Sequence, residues 1–140
     1  GATRVGPVRS FRPQTRDLAD RRVREIPTKV ADAFGASATV EYARGYPATV
    51  NSPAEAAFAA RVGGRVLGAG NVITEFDPVM GGEDFSYLLQ EKPGAYVFLG
   101  QGGGPSSCFL HNSGYDFNDE VIPLGAGYLA ALVEEALPLR

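Results

Sequence analysis

Histidine occurs once in this chain, at position 111, and cysteine once, at position 108. A neutral imidazole suits zinc and can also act as a general base. His111 follows an apolar run and a glycine-rich loop, and it lies among polar residues from Asn112 to Glu120. That setting is compatible with a ligand, and equally with a hydrogen-bonded structural histidine. Cys108 as a nucleophile would need His111 as its base, and a spacing of three along one loop is poor geometry for that pair. A second segment, Met80-Gly81-Gly82-Glu83-Asp84-Phe85, puts two glycines before two carboxylates. Glycines let backbone approach a ligand closely, and a helix start favours negative charge. The same residues also read as a turn with acidic helix capping, and both readings stand at this level. The glycine-rich stretch from Gly100 to Pro105 lacks the Lys-Ser/Thr ending of a phosphate loop and the third glycine of a dinucleotide fingerprint.

These residues must be positioned by regular elements, and the pattern predicts an α/β architecture. Residues 5–11, with Val5, Val8 and Phe11 around Arg9, read as a short strand. Residues 15–34 carry apolar positions in steps of three and four, one face of a helix that Gly35 terminates. Pro27 lies inside it and should kink it. Ala38, Val40 and Tyr42 then alternate with Thr39, Glu41 and Ala43, as in a half-buried strand. Ser52-Pro53-Ala54-Glu55 is a capping-box pattern opening a helix to about Leu67. Strands are expected at 71–76 and 95–99, a short helix at 84–91, and a last helix from Pro123. The expected organisation is residues 1–44, a connector at 45–51, and 52–140.

Composition narrows the functional classes. The 140 residues are 44% hydrophobic and 21% charged, which argues for a folded chain and against disorder. One cysteine excludes an internal disulfide framework or a cysteine-built zinc finger, and one histidine excludes a site of several histidines from this chain. No run approaches the roughly 18 apolar residues of a membrane span, and no signal peptide opens the chain, so no membrane and a cytoplasmic location are expected. Net charge is −3, with an excess of basic residues in 1–44 and of acidic ones in 45–140. The basic residues fall in a helix laced with Asp and Glu, a solvated face rather than a nucleic-acid surface.

Five segments in order resemble a known family. They are Gly6-Pro7-Val8-Arg9-Ser10-Phe11-Arg12, Tyr46-Pro47-Ala48-Thr49-Val50-Asn51, Met80 to Ser86, Gly94 to Gly100, and His111-Asn112 with Tyr115-Asp116-Phe117-Asn118-Asp119-Glu120. Together they are similar to the C-terminal third of the metal-dependent amidohydrolases that include hippurate hydrolases, N-acyl-amino-acid amidohydrolases and auxin-conjugate hydrolases. The resemblance implies a ferredoxin-like lid, of which residues 1–44 would be the second, strand–helix–strand half, serving dimerisation. Residues 52–140 would be the C-terminal segment of a zinc-aminopeptidase-like α/β catalytic domain.

The same resemblance implies hydrolysis of N-acyl amino acids by metal-activated water, with two zinc or manganese ions in the complete site. His111 matches the last metal ligand, and Arg9 an arginine that binds the substrate carboxylate. Gly82, Glu83 and Asp84 match a motif lining the active site. The glutamate base and the other ligands lie in a part of the family sequence that nothing here matches. The chain alone is therefore expected to be inactive and not to retain metal, and no catalytic residue is assigned within it. The competing expectation is a non-catalytic α/β binding or oligomerisation module.

Overall fold

The structure is a computed structural model that describes residues 1–102 and 107–138. The described residues form four helices: α1 (Pro13–Ala33), α2 (Pro53–Leu67), α3 (Phe85–Glu91) and α4 (Ile122–Ala136). Two single 3₁₀ turns, Ala69–Asn71 and Asp119–Val121, follow α2 and precede α4. By contacts the chain divides into two compact units, Gly1–Val50 with Asp77–Lys92, and Asn51–Phe76 with Pro93–Arg140.

No strand is present among the described residues, which corrects the expected α/β class, the strand–helix–strand lid half and the α/β catalytic segment. Alternation describes one segment, whereas a strand needs a second segment to take its N–H and C=O groups. Here side chains take several of them instead. The carbonyls of Val40 and Tyr42 accept from the two terminal nitrogens of Arg24, each at 3.3 Å. Gly45 O accepts from Arg16, and Met80 O from Arg9. In 95–99, expected to be buried on both faces, the backbone of Tyr96 pairs with an asparagine side chain, and Phe98 is 68% exposed.

In the first unit α1 starts two residues earlier than its apolar pattern suggests. Pro13 opens the helix, where a missing N–H costs nothing, and Arg12 is extended. The end is as read: Gly35 has φ +67°, Gly35 N–H donates to Asp32 O at 3.0 Å and Ala36 N–H to Ala31 O at 2.9 Å. Those two bonds form a Schellman closure, which favours glycine at the left-handed position. No residue of α1 is buried. Its exposed faces carry ion pairs: Arg24–Asp20 at 2.7 Å, Arg22–Glu25 at 2.7 Å, and Arg44 with Asp17 at 2.7 Å and Asp20 at 3.0 Å.

The second unit is built on α2 against α4. Val62 is fully buried, and Ala59 and Tyr128 nearly so. Gly63 makes the close approach possible: a methyl there would lie 3.4 Å from Val72 Cγ2 and 3.6 Å from Tyr128 Cε2. The Tyr128 hydroxyl donates to Ala59 O at 3.0 Å, giving the buried phenol its partner. Glu135 joins the helices again by accepting from Arg61 and Arg65, each at 2.7 Å. Ser52 does not close the expected capping box. Its hydroxyl accepts from Gly94 N–H at 3.2 Å, while Ser52 N–H donates to Gly94 O at 2.9 Å.

Candidate functional site

Arg9 and the Gly82-Glu83-Asp84 segment come together in the first unit. The Arg9 guanidinium donates to the carbonyl of Met80, at the entry to that segment. Tyr46 stands beside Gly82, where a methyl would lie 3.3 Å from Tyr46 Cδ2. The same ring meets Tyr87 edge to face, with centroids 5.8 Å apart at 74°. At the C-terminal side, Glu83 O accepts from the Ser86 hydroxyl at 2.6 Å and from Ser86 N–H at 3.2 Å. Ser86 is 1% exposed and carries the turn into α3. Asp84 precedes α3 with helical backbone and makes no side-chain cap bond, so acidic capping does not account for it. A guanidinium has five donors in a fixed fork, so its bond to Met80 leaves donors able to pair with a carboxylate.

His111 belongs to the other unit. It is exposed, with φ +67°, in a turn where Asn112 N–H donates to Phe109 O at 3.3 Å and Tyr115 N–H to Asn112 O at 3.0 Å. Asn112 Oδ1 accepts from Gly114 N–H at 2.8 Å. Cys108 Sγ would lie 3.3 Å from a methyl at position 114, so Gly114 leaves room for the thiol. The middle of the glycine-rich loop, 103–106, lies outside the described residues.

Among the described residues no three His, Cys, Asp or Glu side chains converge in a way that could hold a metal. A catalytic zinc typically has three protein ligands, so the described chain does not by itself fit a metal centre. His111 is one donor without companions.

The pattern missed two contributors. Tyr46 sits in a motif of the family resemblance without an assigned task, and Gln101 falls in the stretch from Gly100 to Pro105, where the pattern marks only the glycines. The aromatic inside Gly45-Tyr46-Pro47, and a lone amide between glycines, are the available signals.

Hydrogen bonds from Arg24 and then Arg44 hold the Asp20 carboxyl below its usual 3.8. Hydrogen bonds from Lys29 and then Arg22 hold Glu25 below 4.5. Burial pushes the Tyr128 phenol above its ordinary 10.0.

Residues 2–135 match the family described as peptidase family M20/M25/M40. The chain belongs to this peptidase family. It is 32% identical to "Thermostable carboxypeptidase 1" of Saccharolobus solfataricus, over 86% of this chain and 30% of that protein. It is 30% identical to "Hippurate hydrolase" of Campylobacter jejuni, over 89% of this chain and 32% of the relative. It is 33% identical to "N-acetyldiaminopimelate deacetylase" of Enterococcus faecalis, over 94% and 35%. No solved structure matches. The chain spans about a third of the length of these M20 relatives. M20 proteins are metal-dependent hydrolases. No helix among the described residues is long and apolar enough to cross a membrane.

Proposed function

We propose that the protein hydrolyses the amide bond of N-acyl amino acids of the hippurate type. Water adds across the C–N bond, giving a carboxylic acid and a free amino acid. The M20 relatives are about three times longer than this chain, and the activity is assigned to an enzyme of that full length. In it, Arg9 binds the carboxylate of the amino-acid half, and Gly82, Glu83 and Asp84 line the same pocket. His111 is one ligand of a divalent metal, zinc or manganese, with two ions in the complete site. The remaining ligands and the glutamate base come from outside residues 1–140. Residues 1–44 form the lid and homodimer contact, 45–51 the connector and 52–140 the catalytic portion, in a cytoplasmic enzyme that binds neither nucleic acid nor membrane. The observation that best supports the substrate reading is the Arg9 guanidinium on the Met80 carbonyl. It sets a cation beside the glycine-rich carboxylate segment.

The test is hippurate hydrolysis and metal analysis on the 140-residue chain, the full-length enzyme and its His111→Ala variant. The chain alone should neither turn over nor hold stoichiometric metal, the enzyme should do both, and the variant should lose most activity and part of its metal. Turnover with tight metal in the chain alone overturns the assignment of ligands and base outside it. An unaffected variant overturns the role of His111. A full-length enzyme inert on every N-acyl amino acid favours the non-catalytic binding or oligomerisation module.

A further inference from the structure

The segment carrying His111 leaves the apolar run at Gly100 and returns at Asn118, and one side chain closes its neck. Gln101 Oε1 accepts from the Tyr115 hydroxyl at 3.0 Å and from Asn118 N–H at 3.1 Å. Gln101 Nε2 donates to Asp116 O at 3.4 Å. The Gln101 carbonyl accepts from Asn118 Nδ2 at 3.0 Å. Asn118 continues the linkage, because its Oδ1 accepts from Glu120 N–H at 3.1 Å. That bond caps the 3₁₀ turn Asp119–Val121, which runs directly into α4, and α4 is packed on α2. The neck is thus tied to the best-buried part of the chain. Inside the neck, His111 holds a left-handed backbone, which a residue with a Cβ avoids unless its surroundings impose it.

We propose that Gln101 is a positioning residue for His111. Its amide clasps the ends of the loop and so sets where the imidazole stands relative to the α2–α4 pair. This rests on the role given to His111 above, and it adds the residue through which the fold fixes that side chain. The chemistry of the clasp needs an amide. Oε1 serves two donors at once while Nε2 reaches a carbonyl, a set of bonds that an apolar side chain of equal length cannot make.

The chain has a single histidine, so its imidazole proton signals need no assignment. In the 140-residue chain, Gln101→Met should move the His111 signals toward those of an unstructured peptide. It should also speed amide exchange at Tyr115 and Asn118 by about tenfold or more. The signals of buried Val62 and Tyr128 should stay. Gln101→Glu keeps both acceptor bonds of Oε1 but turns an oxygen toward Asp116 O, so it should displace the His111 signals less than Gln101→Met does. Unmoved His111 signals in Gln101→Met, or equal displacement in Gln101→Glu, overturn the proposal. If Gln101→Met also disturbs Val62 and Tyr128, Tyr115→Phe decides. It removes one bond of the clasp and must shift the His111 signals in the same direction, and no shift overturns the proposal.

In the full-length enzyme, Gln101→Met should lower kcat about tenfold or more with KM nearly unchanged, the signature of a misplaced reacting group. Val62→Ala serves as a destabilised control that keeps kcat. His111→Ala with full activity would sink the role of His111 and leave the clasp standing. Inactive His111→Ala with unmoved signals in Gln101→Met would sink the clasp alone.

Discussion

Replacing Arg9 separates two bonds that the same guanidinium makes in the proposed enzyme. One is the observed bond to the Met80 carbonyl, and the other is the proposed pairing with the substrate carboxylate. Arg9 is exposed, so the Met80 bond contributes about 1 kcal/mol or less. Its loss loosens the 80–84 segment for every substrate, by about fivefold or less in kcat/KM. A bidentate pair with a carboxylate contributes about 1.5–3 kcal/mol, or about 10- to 150-fold. Arg9→Ala should therefore lower kcat/KM for hippurate by the product of the two effects. For the matching amide, which has no free carboxylate, only the smaller effect should appear. Arg9→Lys keeps the charge but not the fork, so it should recover part of the difference for hippurate. The assay is initial rates on the acid and amide pair, for wild type and both variants of the full-length enzyme. An equal penalty on acid and amide would refute the anchor role and leave Arg9 as a support for the Met80 turn.

Three further outcomes are expected. Val62→Ala removes two methyl groups from a fully buried position and should cost about 2 kcal/mol, read as a lower denaturation midpoint with an unchanged slope. Asp20 is held below 3.8 by Arg24 and Arg44, so its contribution is complete above that value and is lost as pH falls through the depressed native one. Thermal midpoints taken downward from pH 6 should show an acid limb that flattens in Asp20→Asn, and an unchanged limb would assign it to other carboxylates. Burial raises the Tyr128 phenol, so stability should hold below 10.0 and fall as pH rises through the higher native value. Tyr128→Phe should remove that alkaline loss and cost about 1 kcal/mol at neutral pH for the bond to Ala59, and an undiminished alkaline limb would place the loss elsewhere.

Helices were legible because their signals are local. The three- and four-step apolar spacing, Gly35 after α1, Pro53 at the head of α2 and Pro123 near the head of α4 each act within one or two turns. The sheet was not, because 38–44 and 95–99 fulfil the alternating or apolar pattern while Arg24 and Asn51 occupy groups that a neighbouring strand would use. Ser52 shows the same competition on a smaller scale: its sequence neighbourhood is a capping box, but Gly94 holds its hydroxyl. Of the candidate site, residue types and order were readable. The bond from Arg9 to Met80 and the Gln101 clasp were not, since they join positions 71 and 14 to 17 residues apart that no periodicity links.

The Asn51 side chain lies against the Tyr96 backbone as a short strand would. Oδ1 accepts from Tyr96 N–H at 2.8 Å and Nδ2 donates to Tyr96 O at 2.9 Å. An asparagine ages when the backbone nitrogen of the next residue attacks its side-chain carbon, closing a succinimide and releasing ammonia. Here that nitrogen belongs to Ser52, and its hydrogen is already donated to Gly94 O at 2.9 Å. Both ends of the amide and the attacking nitrogen are occupied, so spontaneous deamidation requires the junction to open first. Once formed, an aspartate would face the Tyr96 carbonyl with oxygen in place of its N–H donor, and the junction could not close as before. Any gain in mass at Asn51 during storage would therefore act as a clock for how often the start of α2 parts from residues 94–96.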